Sequence, residues 1–226
     1  MPVIYKNNKR DTGEFRPPFL PPPAEAETNK YDSFADLVYK PKELKNKPMD
    51  SNVMIESIMK TEGGTPAQYR KLMDEIAYHE TGGRMDPAIH QIGGGPGRGV
   101  YQFEEGKDAG GKLAVIHTKK YLEQNKIPVP SWIKELDKNE SVDFSKLTKD
   151  QQDILFLGHY KMHAKADFSK IMNGTESNVD FWGKYHQTKN DPVLKQQFLN
   201  NADRYSAKVN KDKMSTLKKG GIIYNK

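Results

Sequence analysis

The stretch TPAQYRKLMDEIAYHETG, Thr65 to Gly82, constrains the fold more than any other part of the chain. Thr65 is a helix N-cap type and Pro66 stands at the first helical position, where its missing N–H costs nothing. Tyr69, Leu72, Met73, Ile76 and Ala77 then recur at helical spacing, and Gly82 is a natural terminator. A helix with one buried face is therefore expected here. Glu80 falls four residues after Ile76 and three after Ala77, so it continues the apolar stripe into the last turn. A carboxyl in that place faces the domain interior or a cleft. Burial and the partial negative charge of a helix C-terminus both favour a protonated carboxyl, the form that general acid catalysis uses. A helix-ending Glu bonded to its own loop is the plainer reading of the same position.

The residues that follow bear on that choice. Gly93, Gly94, Gly95, Gly97 and Gly99 surround Pro96 and Arg98, a loop that permits positive φ and close backbone approach. No Gly-Lys-Ser/Thr follows, so it is not a phosphate loop. GVYQFE comes next and supplies an amide and an aromatic ring. That pairing suits a sugar, whose hydroxyls bond to amides and whose apolar face stacks on rings. GVYQF is also the one β-like candidate, because Val100, Gln102 and their neighbours alternate beside glycines.

The rest of the chain reads as mostly helical between residues 51 and 210. SNVMIESIMK and HTKKYLEQN are amphipathic. TKDQQDILFLGHYKMHAKA opens with Thr148 and Gln151 in capping-box spacing. VDFWGKYHQT reads as a short helix. DPVLKQQFLNNADRYSAKV places Val193, Leu194, Phe198, Ala202, Tyr205 and Val209 on one face. Residues 1–50 differ: FRPPFLPPPAEAE reads as a polyproline arm suited to docking on a partner, with one short helical turn around Phe34 to Val38. Residues 211–226 form a basic tail.

Composition narrows the chemistry. With no cysteine, the 226-residue chain has no disulfide, thiol nucleophile or cysteine-ligated zinc. A net charge of +6 favours polyanions, including nucleic acid, anionic lipid and anionic wall polymer. The basic residues are interleaved with acids, which does not point to nucleic acid as the main partner. No run is long and apolar enough to span a membrane. MPVIYKNNKRDTGEF lacks an apolar h-region, so a secretory signal is not expected there.

HETGG followed by GRGVYQFE resembles the lysozyme-like soluble lytic transglycosylases, most closely their bacteriophage virion-associated versions. Glu80-Thr81-Gly82-Gly83 and Gly99-Val100-Tyr101-Gln102-Phe103 match that family's two elements in order and approximate spacing. About thirty residues carry the likeness closely, and it extends loosely over 51–210. The resemblance implies a mainly α, α+β lysozyme-like domain that cuts the MurNAc–GlcNAc β-1,4 bond of peptidoglycan. Glu80 would be the acid, and Thr81, Gly99, Val100, Tyr101, Gln102 and Phe103 would line the sugar site. The family's Ala-Tyr-Asn element is missing. FWGKYHQ is the nearest substitute, with Trp182 and Tyr185 on one helix face. Of these, Tyr185 is the expected substrate contact and Trp182 a core anchor, with Tyr160 as the competing tyrosine.

The implied partners are peptidoglycan glycan strands and, through the proline arm, other virion proteins. The implied place is the virion, acting in the host envelope or periplasm during genome entry. A homo-oligomer in the particle is one arrangement open to it. No cofactor or metal is expected. Gly83 occupies the second ligand position of a His79-Glu80-x-x-His zinc motif, and the i,i+4 pair His159 and His163 has no third ligand in motif spacing. Two rival readings stand beside the transglycosylase. A hydrolytic lysozyme needs a second carboxylate, for which Asp86, Glu104 and Glu105 are candidates. A virion structural protein would keep the fold without the chemistry.

Overall fold

The computed structural model describes residues 49–163, 166–186 and 191–220, with side chains through Asp212. The proline arm, the turn at Phe34 to Val38 and the residues from Gly221 onward lie outside the described residues. What is described is mostly helical. The helices are α1 (Ser51–Glu62), α2 (Pro66–Glu80), α3 (Gly110–Gln124), α4 (Ser131–Leu136), α5 (Lys149–Met162), α6 (Phe168–Met172), α7 (Asn178–Phe181) and α8 (Pro192–Gly220). A π-helical turn, Trp182–His186, continues α7 directly. A two-stranded antiparallel sheet pairs β1 (Gly97–Arg98) with β2 (Phe103–Glu104).

Local chemistry explains several boundaries. Asp50 caps α1 by accepting from the Val53 N–H at 2.9 Å. Thr65 and Gln68 form a reciprocal capping box at the start of α2, and Thr148 and Gln151 form another at the start of α5. At the end of α2, Gly82 takes φ +59°. Its N–H donates to the His79 carbonyl at 3.2 Å, and the Gly83 N–H reaches the Tyr78 carbonyl at 2.8 Å. Those two bonds are a Schellman closure, so Gly82 ends the helix one residue after the Thr81 cap and leaves Glu80 as the last helical residue.

The core forms around α5. Gln152 to Tyr160 are all buried, so this helix is covered on every side by its neighbours. It packs chiefly against α3 and α1, while α2 packs against α8. The apolar stripe of α2 behaves as its spacing predicts: Tyr69, Leu72, Met73, Ile76 and Ala77 are all buried. The face expected of α8 holds less evenly. Phe198 is buried and Leu194, Ala202, Tyr205 and Val209 are half-buried, but Val193 is exposed.

One expectation needs correction. GVYQF is not a strand: Val100 to Gln102 make the turn between β1 and β2, and only Phe103 pairs. Positive φ at Gly99 (+72°) and Gln102 (+50°) turns the chain too sharply for extended backbone. The last helix, α8, runs on through residue 210 to Gly220.

Candidate functional site

Glu80 sits at the C-terminal end of α2 with its side chain 12 % exposed, sunk into the surface but reachable. The π turn supplies its neighbours. The indole N–H of Trp182, itself almost fully buried, donates to Glu80 Oε1 at 2.6 Å. His186, four residues further along the same turn, places Nε2 3.6 Å from that oxygen. Among the described residues nothing hydrogen-bonds Glu80 Oε2. One oxygen is therefore fixed by the indole.

His186 is held from two sides. Its Nε2 lies 2.8 Å from the backbone carbonyl of Tyr101, and a carbonyl only accepts, so Nε2 carries the hydrogen. Its Nδ1 lies at hydrogen-bond distance from the hydroxyl of Tyr160 on α5. Burial, and then the nearby Glu80 charge, hold Tyr160 well above the usual phenol range. It remains a phenol, and with the Nε2 hydrogen on the Tyr101 carbonyl its hydroxyl can donate to Nδ1. His79, preceding Glu80, backs the site by setting its ring edge against Trp182 with centroids 4.5 Å apart. Burial lowers the pKa of His79, with Glu80 opposing, and its Nδ1 pairs with the Asn201 amide at 3.0 Å.

The glycine-rich segment reaches this site through one backbone carbonyl. The Tyr101 ring does not line a cleft: it is buried, stacks on Phe156 with centroids 4.3 Å apart, and its hydroxyl donates to Asp153. Val100 and Phe103 are buried as well, and the Val100 N–H donates to Gln152 Oε1 at 2.8 Å. Gln102 is half-buried and folds its amide back onto the Gly99 carbonyl at 2.7 Å. Thr81 is a cap: its hydroxyl donates to the Ala77 carbonyl at 2.7 Å and accepts from the Met85 N–H at 3.1 Å. Tyr185 is half-buried against Phe181 and His163.

Of the expected site residues, the structure thus joins the Tyr101 carbonyl to His186, which faces Glu80, and gives Thr81, Val100 and the Tyr101 ring structural partners. Two of the three candidate second carboxylates have local partners. Asp86 accepts from the Ala88 N–H at 2.9 Å, and Glu105 pairs with Arg98 at 3.0 Å. Glu104 is exposed on β2. The sequence reading missed His186. The available signal was its i,i+4 spacing from Trp182 within WGKYH, which puts both residues on one side of a single helical turn. Among the described residues no group of three or more His, Asp or Glu side chains is arranged to hold a metal.

Gly99 carries the turn. A Cβ there would stand 2.3 Å from Gln152 Oε1, on top of a left-handed φ. Gln152 is the hub below it: its amide nitrogen donates to the carbonyls of Pro87, Phe144 and Leu147. Gly99→Ala is therefore expected to cost on the order of 2–4 kcal/mol in urea denaturation, from left-handed strain and displacement of Gln152 together. A loss under about 0.5 kcal/mol would show that the turn relaxes freely.

A second cluster of histidines is expected to make stability sensitive to acid. His159 on α5 faces His117 on α3, Nδ1 to Nδ1, at 3.2 Å. Burial, then the charges of His117, His163 and His186, lower the His159 pKa to about 3. A folded-state pKa below the unfolded value of about 6.5 means that the unfolded chain binds the proton first. The stability contributed is complete above about pH 6.5 and is lost as pH falls from there toward 3. Between pH 6 and pH 4.5 the loss from this group is about 2 kcal/mol. His159→Gln is expected to flatten that part of the urea-denaturation profile. An unchanged slope would assign the acid sensitivity elsewhere.

No family model, curated protein or solved structure matches the chain. Among the described residues no helix is long and apolar enough to cross a membrane.

Proposed function

We propose that this domain is a peptidoglycan lytic transglycosylase of lysozyme-like fold, carried in a phage virion and acting on the host wall during genome entry, with Glu80 as its acid and base. The observation that carries the reading is the state of the Glu80 carboxyl. It lies mostly buried at a helix end, with Oε1 fixed by the Trp182 indole and Oε2 unengaged among the described residues. A Glu that only closed its helix would not need a buried indole from a distant segment to hold one of its oxygens.

The proposed chemistry needs one carboxyl. Protonated Glu80 gives its proton to the glycosidic oxygen as the bond from that oxygen to MurNAc C1 breaks. The carboxylate then takes the proton of the MurNAc 6-hydroxyl as that oxygen bonds to C1. A 1,6-anhydro sugar forms, and Glu80 ends protonated as it began. The substrate's own hydroxyl takes the place of the water that a hydrolase activates.

Zymography of the folded protein on peptidoglycan tests the activity, and absence of clearing overturns it in favour of a structural virion role. Mass spectrometry of the released muropeptides tests the reaction type. Anhydro ends are expected, and reducing ends would make the domain a hydrolytic lysozyme.

A further inference from the structure

We propose that His186 is the positioning residue of the Glu80 site, with Tyr160 selecting its tautomer; this rests on the reading of Glu80 as the working acid. Three observations meet at this ring. Its Nε2 faces both the Tyr101 carbonyl, at 2.8 Å, and Glu80 Oε1, at 3.6 Å. Its Nδ1 faces the Tyr160 hydroxyl. It leaves the same π turn as Trp182, which holds the same Glu80 oxygen.

Each contact removes a freedom. The Tyr101 carbonyl accepts only, so it takes the Nε2 hydrogen and turns it away from Glu80. Tyr160 donates to Nδ1, which makes the Nε2–H tautomer the bonded one. The ring therefore reaches Glu80 as a polar edge and not as a second hydrogen-bond donor. Trp182 remains the bonded donor to Oε1. The distance between Glu80 and the β1–β2 turn is then set by one imidazole, because the same nitrogen touches both. A π turn widens the helix at this point and is a frequent device at functional sites. Here it delivers Trp182 and His186 to one oxygen from residues four apart.

The charged and titratable groups facing the ring come from several elements. Glu80 and His79 face it from α2, and Tyr160 and His159 from α5. Positioning is separable from the fold, because a Gln side chain at 186 can put its amide N–H where Nε2 stands. His186→Ala cannot replace that donor.

The test compares wild type, His186→Ala, His186→Gln and Tyr160→Phe in muropeptide release. His186→Ala is expected to lower kcat by about tenfold to hundredfold while KM moves less than about threefold, since a misplacement near 1 Å costs on that order. His186→Gln is expected to recover most of the loss. Imidazole nitrogen NMR on wild type gives a readout independent of activity: His186 is expected as the Nε2–H tautomer, with that preference weakened in Tyr160→Phe, where the Tyr101 carbonyl alone selects it. A wild type that shows this tautomer but releases no muropeptides sinks the transglycosylase reading alone. An Nδ1–H tautomer in wild type overturns the inference, as does full kcat in His186→Ala. Gln no better than Ala, with equal thermal stability, overturns it too.

Discussion

Glu80→Gln is expected to lower kcat/KM on peptidoglycan by about 10²–10⁴-fold, with the melting temperature within about 3 °C of wild type. The substitution keeps shape and polarity. Gln Oε1 still accepts from the Trp182 indole, which reaches the native oxygen at 2.6 Å. What Gln lacks is the exchangeable proton. If Glu80 only closed the helix, the amide would serve equally and clearing would be unchanged. If it were chiefly a stabilising charge beside His186, the melting temperature would fall along with activity. Zymography and a thermal melt on the same preparation separate these outcomes. Equal clearing by both proteins removes Glu80 as the acid, whatever the fold. Clearing lost together with cooperative melting says only that the variant is unfolded, and Glu80→Asp then replaces it. That residue retains the proton but withdraws it by one methylene, so it is expected to fold and to lose activity.

The position of Glu80 was legible because everything that fixes it is local. Thr65, Pro66 and Gln68 start α2 within one turn, Gly82 and Gly83 end it, and Ile76 and Ala77 define which face is buried. Capping chemistry and helical period need no knowledge of the rest of the chain. The neighbours of Glu80 were not legible, because they arrive from a distance in sequence. The Trp182 indole comes from 102 residues away, and sequence spacing assigns it only a buried face. His186 looks like an ordinary residue beyond Tyr185 until the π turn aims it back. The same limit governs Val100 to Phe103. Alternation beside glycines suggested a sugar-lining strand, but side chains from α5 decide the matter by drawing Val100 and Tyr101 into Gln152 and Asp153. Tertiary hydrogen bonds outweigh a five-residue alternation, and the Tyr101 carbonyl is the group seen to meet His186.

That carbonyl ties the site to a buried carboxylate. Asp153 on α5 is 1 % exposed. Its Oδ1 accepts from the Tyr101 hydroxyl and from Lys149 Nζ, each at 2.5 Å, and its Oδ2 lies 3.2 Å from Arg70. Burial pushes its carboxyl up, and Lys149, Tyr101 and Arg70 pull it back. Asp153→Ala is expected to cost about 3–5 kcal/mol and about 10 °C of melting temperature, because removing one partner leaves buried polar groups uncompensated. The contrast is Asp137, whose pairs with Lys119 and Lys112 stand at the surface with its side chain 24 % exposed. Asp137→Ala is expected to cost no more than about 1 kcal/mol, since solvent screens the pairs. Equal losses at the two positions would show that burial does not decide the energetics of these carboxylates. Asp153→Asn, which keeps the shape and one acceptor for Tyr101, is expected to fall between them. Its activity is informative where it remains folded. The Tyr101 ring is anchored by Asp153 while its carbonyl receives the His186 hydrogen. A ring that shifts carries the carbonyl with it, so the folded fraction of Asp153→Asn is expected to lose kcat with the same small KM change as His186→Ala. Unchanged kcat in that variant would mean that Gln152, through the Val100 N–H, holds the turn without help from Asp153.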